Sequence, residues 1–275
     1  MGSPGVPLPP LRDVIREFQL DARKGLGQHF LLDLNLTRRI ARSAGDLSGV
    51  TVIEVGPGPG GLTRALLDSP AARVVAIEKD PRCVEALAYL KAHYGERLTV
   101  VAGDALEADI LSLAPAPRRI VANLPYNVAV PLVLGWLRSI AAVDGMVLMF
   151  QREVADRLAA KPRTKAYGRL SVMAQWLCDT RVLFTVDKRA FTPPPKVMSA
   201  VVSLTPRPQP LAPADWSSLE KVTAAAFGQR RKMLRSSLKS LDLDLETLCI
   251  PPTARAEELT VPEFCRLAQA LAARG

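Results

Sequence analysis

From Gly49 to Gln151 short apolar runs alternate with amphipathic ones, and this alternation restricts the fold more than any other feature of the chain. "GVTVIEVG", "ARVVAIEKD", "RLTVVAGDA", "RRIVANLPY" and "GMVLMFQ" each read as a buried strand. Between them "GGLTRALLDS", "PRCVEALAYLKAHYG" and "VPLVLGWLRSIA" have helical spacing, and "REVADRLAA" adds a further helix. Strand–helix alternation of this kind predicts a parallel sheet covered by helices, a doubly wound α/β fold. Upstream, "LRDVIREF" and "NLTRRIARSAG" read as short helices. Downstream come a basic loop "KPRTKAYGRL", a helix "LSVMAQWLCD", and two strands, "TRVLFTVDKRAF" and "KVMSAVVSLTP", expected to extend the sheet antiparallel. "TPRPQPLAP", residues 205–213, carries four prolines and reads as a linker. The expected division is a mobile arm with a short helix over 1–20, a catalytic α/β domain over 21–204, the linker, and an all-helical domain over 214–275.

The net charge of +9 points to a polyanionic partner, nucleic acid first and an acidic membrane surface second, with a generally basic soluble enzyme as the alternative that charge alone leaves open. Cys83, Cys178, Cys249 and Cys265 are scattered, and neither His29 nor His93 stands near a cysteine in sequence. That spacing argues against a metal site and a disulfide framework and fits a reducing compartment. The first ten residues lack the pattern of a secretory signal, and no apolar run has the length of a membrane span, so a cytoplasmic protein is expected.

The ends of the strands carry the chemistry. "VIEVGPGPGGLT" runs from strand through a glycine-rich turn into helix, which lets a ligand approach the backbone of Gly56, Gly58, Gly60 and Gly61. Glu54 beside that turn would repel a pyrophosphate and attract an ammonium, which favours S-adenosylmethionine over a dinucleotide. Glu78 ends the second strand, 22 residues after Gly56, where a carboxylate can take ribose hydroxyls. Asp104 ends the third strand and can accept from an adenine amine. Asn123 ends the fourth. In open α/β sheets the carboxyl ends of the strands form the ligand crevice, so these residues are expected to share one.

"NLPY", Asn123 to Tyr126, could by itself be no more than a strand end. In company it resembles something more specific. "GQHFL", "EVGPGPGGLT", "AIEKD", "GDA", "NLPYNVA", "FTPPPKVMSAVV" and "FGQRRKMLRSSL" occur in the order seen in ribosomal RNA adenine N6,N6-dimethyltransferases, and the likeness runs from about Leu20 to Ala270. The small-subunit enzymes are the nearest in pattern. The resemblance implies a Rossmann-like methyltransferase sheet and S-adenosylmethionine held by His29, Leu31, Gly56, Glu78, Asp104 and Asn123. It also implies dimethylation of two adjacent adenines in a hairpin loop near the 3′ end of 16S rRNA within an assembling small subunit. The family often has Asn where His29 stands. Asn123 and the Leu124 carbonyl would accept the two hydrogens of the target amine, Pro125 would stiffen the turn, and Tyr126 and Phe191 would face the flipped base from either side. A monomer without metal or membrane is expected. Two alternatives stay open, a large-subunit dimethylase of the antibiotic-resistance type and a non-catalytic nucleic-acid-binding relative.

In "GQRRKMLRSSLKSL" Leu234, Leu238 and Leu241 have the spacing of an apolar helical stripe. Arg231, Arg235 and Lys239 would fall along an adjacent face with Lys232 beside them, a candidate RNA contact.

Overall fold

A computed structural model describes residues 8–20 and 29–274. Residues 1–7 of the expected mobile arm, the expected domain start at 21, and Gly27 and Gln28 of "GQHFL" lie outside the described residues. The chain forms two compact units, Met1–Arg152 with Val182–Ser203, and Glu153–Arg181 with Leu204–Gly275. The division differs from a single cut at the proline-rich segment, because Glu153–Arg181 groups with the C-terminal residues.

In chain order the first unit holds α1 (Leu11–Glu17), β1 (Phe30–Leu31), α2 (Leu34–Ser43), β2 (Thr51–Val55), α3 (Gly61–Leu67) and β3 (Arg73–Glu78). It continues with α4 (Pro81–Ala86), α5 (Ala88–Tyr94), β4 (Leu98–Ala102), α6 (Ile110–Leu113), β5 (Arg118–Asn123), α7 (Ala129–Arg138) and β6 (Gly145–Gln151). There follow α8 (Arg152–Leu158), α9 (Arg169–Leu177), β7 (Cys178–Val186), β8 (Phe191–Thr192) and β9 (Ser199–Pro206). The chain closes with α10 (Trp216–Gly228), α11 (Leu234–Ser237) and α12 (Val261–Ala272).

The seven-stranded sheet has the order β4-β3-β2-β5-β6-β9-β7, and its first five strands pair in parallel. Every residue of β2 is buried, as expected of a central parallel strand covered on both faces. Ile40 of α2 and Leu66 and Leu67 of α3 pack with Val52, Val74 and Val121 into one core. Local chemistry sets the helix starts. The Asp33 carboxylate accepts from the N–H groups of Asn35 and Leu36 at the head of α2, a cap worth about 1 kcal/mol. Asp80 accepts from Arg82 N–H at the head of α4, with Pro81 at the first turn. The single helix expected over "PRCVEALAYLKAHYG" is interrupted at Leu87, although Leu87 N–H and Lys91 N–H still bond four residues back.

β2 pairs with β3 on one side and β5 on the other, so the sheet order reverses there and a crevice opens at the strand ends. Gly56 N–H donates to Ile77 O at 3.0 Å and Gly103 N–H to Glu78 O at 2.9 Å, which brings the first three strand ends level.

In the second unit Phe227 of α10 stacks on Phe264 of α12 at 5.4 Å, and Tyr167 meets Phe227 edge-on at 6.0 Å. Arg169 of α9 pairs with Glu220 of α10 at 2.8 Å. The continuous helix expected through "GQRRKMLRSSLKSL" is not formed. α10 stops at Gly228, and Met233 is extended and bridges Arg255. Only Leu234–Ser237 is α-helical, with a single 3-10 turn over Lys239–Leu241. Arg231, Lys232, Arg235 and Lys239 therefore do not share a helical face, although all four are exposed.

Candidate active site

Strand β2 runs into the glycine turn, and two glycines there are forced by what lies against them. Gly56 has φ +67°, and a Cβ on it would sit 3.3 Å from the Pro125 ring, so the turn and the NLPY segment are in contact. A Cβ on Gly61 would come within 2.6 Å of the Leu31 carbonyl oxygen, main chain that cannot give way. The turn is thus closed on one side by β1 and on the other by NLPY.

A cavity opens at these strand ends. It is lined by His29, Leu31, Gly56, Glu78, Asp104 and Asn123, all six residues expected at the cofactor, together with Glu54, Lys79, Leu124, Pro125 and Tyr126. Glu54 is 1% exposed, and its Oε2 has no hydrogen-bond partner. Burial pushes its carboxyl up to about 8, the Thr63 hydroxyl opposes this and the neighbouring Glu78 adds to it. Glu78 accepts from Gly58 N–H at 2.9 Å and Asp80 N–H at 2.8 Å, which fixes both carboxylate oxygens while leaving each a free lone pair. Burial raises this carboxyl too, against those N–H bonds. Asp104 is held below the usual carboxylate range by the Lys79 ammonium at 2.7 Å and by Leu106 N–H.

Asn123 donates from Nδ2 to the main-chain oxygen of His29 at 3.2 Å. Its Oδ1 is left as the acceptor on the other side of the amide. The Tyr126 hydroxyl meets Ser199 Oγ at 2.6 Å. Phe191 is the one expected site residue of this unit that the cavity lacks. It is 2% exposed and packs in the core with Leu31, Val147 and Val201. The reason is the β1–β8 pair, which registers Leu31 opposite Phe191 and turns that ring inward. The ring of His29 lies 5.4 Å from that of Tyr126, with planes inclined by 33°, and 6.4 Å from that of Phe191, which it meets edge-on.

Lys79 and Ser199 escaped the sequence reading. Lys79 follows Glu78 directly, so the spacing of "AIEKD" could have flagged it; Ser199 lies 73 residues from Tyr126 and carries no local signal. Three carboxylates, one with an orphaned oxygen, around a glycine cradle suit a cationic ligand with an ammonium, ribose hydroxyls and an adenine amine. The residues present therefore fit S-adenosylmethionine.

The family described as ribosomal RNA adenine dimethylase matches residues 19–273. The chain is 61% identical to "Ribosomal RNA small subunit methyltransferase A" of Rhodospirillum rubrum, over 99% of this chain and 96% of that protein. It is 63% identical to the protein of the same name from Paramagnetospirillum magneticum, over 97% and 96%. Among solved structures, a dimethyladenosine transferase from Plasmodium falciparum superposes with a TM-score of 0.76 at 25% identity, covering 90% of this chain and 98% of that one. The 23S rRNA methyltransferase ErmE gives 0.65 at 27% identity, over 88% and 99%. The chain belongs to the ribosomal RNA adenine dimethylase family and is an S-adenosylmethionine-dependent methyltransferase with ribosomal RNA as its substrate.

Proposed function

We propose that this member of the family dimethylates N6 of two adjacent adenines in a hairpin loop near the 3′ end of 16S rRNA. In this reading it works in the cytoplasm, as a monomer without metal, on the small subunit or its precursor. The observation that carries the choice of subunit is the 61–63% identity to small-subunit methyltransferases along nearly the whole chain. Among the described residues no helix is long and apolar enough to cross a membrane.

The bound cofactor supplies an electrophilic methyl on a sulfonium. Glu54 would hold its ammonium, Glu78 its ribose hydroxyls and Asp104 its adenine amine, with Leu31 and Gly56 against its body. An exocyclic adenine amine is a poor nucleophile because its lone pair is delocalised into the ring. Asn123 Oδ1 and the Leu124 carbonyl would each accept one of its hydrogens, turning the lone pair out of the ring plane. Pro125 holds that turn, and Tyr126 offers a ring to a base already out of its stack. Proton abstraction by a strong base is unnecessary, since positioning supplies most of the rate.

The second unit offers a surface for the RNA. Arg163 N–H donates to Glu257 O at 2.7 Å, and Arg230 binds the Glu257 carboxylate at 2.8 Å and Thr164 O at 3.3 Å. These bonds join the loop bearing Arg163 and Lys165 to the segment bearing Arg231 and Lys232. Together with Arg235 and Lys239 they support one basic RNA-binding surface on a folded scaffold.

The test is methyl transfer from labelled cofactor to unmethylated small subunits, large subunits and DNA. Label entering small-subunit adenines alone is expected. Label entering large subunits instead, or cofactor binding with no transfer, would overturn the assignment.

A further inference from the structure

We propose that Ser199 is a positioning residue for methyl transfer, holding the Tyr126 ring in place for the target base by a hydrogen bond to its hydroxyl. This rests on the methyl-transfer reading above, in which Tyr126 faces the base.

The two residues meet across the sheet. Tyr126 follows the end of β5, Ser199 is the first residue of β9, and β6 lies between those strands in the sheet order. The Tyr126 hydroxyl and Ser199 Oγ are nevertheless 2.6 Å apart, so the contact bridges over β6. The main chain beside Ser199 is anchored there, because Arg152 N–H, just past β6, donates to Met198 O at 2.9 Å. Ser199 is 0% exposed, and among the described residues Tyr126 is the only hydrogen-bond partner of its hydroxyl. Tyr126 is half-buried and lines the cavity, whereas Ser199 stands outside the lining and can act only through its neighbour. A tyrosine turns about two side-chain bonds, and a hydrogen bond at its far end restrains both. Burial raises the Tyr126 hydroxyl above its ordinary range, against the opposing effect of Ser199, so near neutral pH the pair consists of two neutral hydroxyls. Any ring movement that breaks the bond strands a buried serine hydroxyl without water, which favours one ring position. A free ring would have to be ordered as the base arrives. Ser199 supplies that order before the RNA binds.

Four proteins test this in single-turnover transfer to saturating small subunits: wild type, Ser199→Ala, Tyr126→Phe and the double variant. Phenylalanine keeps the ring, so any slowing it causes reports position rather than loss of stacking. Each single variant should lower the rate constant about three- to tenfold, the scale of one neutral hydrogen bond. The double variant should be no slower than either, since both changes delete the same bond. Tyr126→Phe strands the buried Ser199 hydroxyl, so its Tm should fall and then recover in the double variant. The amplitude of the single turnover should stay near wild type, because a merely structural residue would lower the fraction of active protein and leave the rate constant alone. A wild-type rate constant in Ser199→Ala would overturn the proposal. Losses that multiply in the double variant would make the two residues independent and overturn it too. A loss confined to amplitude would reduce Ser199 to a structural residue. If the wild-type protein itself transfers no methyl, the methyl-transfer reading fails; an active wild type with indifferent variants removes only the role of Ser199.

Discussion

The crevice at the strand ends and the basic surface of the second unit are held in different ways. Glu78, Asp104 and Asn123 sit where parallel strands finish, and main-chain groups fix each of them: Gly58 and Asp80 N–H for Glu78, Leu106 N–H for Asp104, and the His29 carbonyl for Asn123. Arg231, Lys232, Arg235 and Lys239 are exposed cations on a segment broken into short helical turns. Directed hydrogen bonds in a buried site tolerate little displacement. Charge attraction to phosphates falls off gently with distance and accepts many geometries. One region should therefore fail sharply on a single substitution, and the other only by degrees.

The sharpest break is expected at Asn123. Asn123→Ala removes one acceptor for the target amine and should lower the transfer rate about 10²–10³-fold, as loss of one preorganised hydrogen-bonding group does. Cofactor affinity should fall far less. Near-normal single-turnover rates would end the role given to this side chain.

The basic surface should respond more softly. Arg231→Glu with Arg235→Glu should weaken small-subunit binding and reduce the log–log salt slope by about 1.4–1.8 for two lost phosphate contacts. Filter binding across a salt series measures both, and cofactor affinity should be unchanged. An unaltered slope would remove these two residues from the RNA contact and leave Arg163 and Lys165 as the candidates.

The smallest effect expected is a pH dependence set by Glu54. Its folded carboxyl sits at about 8, above its unfolded value, so between the ordinary carboxylate range and about 8 the native state holds a proton that the unfolded chain has lost. Its contribution to stability therefore falls as pH rises through that window and levels off above it. A cationic cofactor prefers the ionised form, so cofactor affinity should rise over the same window by a few-fold. Calorimetry from about pH 6.5 to about pH 8.5 should show that rise in wild type and lose it in Glu54→Gln. An identical pH profile in the variant would mean that Glu54 does not face the ammonium.

The crevice was legible in the sequence because a buried parallel strand announces itself as an apolar run, and its last residue is found by counting. Gly56, Glu78, Asp104 and Asn123 line one cavity for that reason. The β1–β8 pair was not legible. Two-residue strands have no periodicity, and the register of Leu31 with Phe191 joins positions 160 residues apart. That pair buries Phe191 and sets its ring edge-on to that of His29 at 6.4 Å. The basic segment was misread for a related reason. "RRKMLRSSL" has good helical spacing, yet Met233 makes an extended bridge to Arg255, a distant partner that overrides local preference.

The second unit is assembled from two stretches of chain, Glu153–Arg181 and Leu204–Gly275. A protein is made from its N-terminus, so α9 leaves the ribosome with Val172, Met173 and Trp176 uncovered, and the chain then turns to finish the sheet. The last helix of its unit ends 95 residues later, at Ala272 against Leu177. At about 5–20 residues per second that interval lasts about 5–20 s. For that time the apolar side of α9 must wait for α10 and α12. A truncated message ending in the proline-rich segment would therefore release a chain whose first unit has all its residues and whose second is left with an orphaned apolar helix.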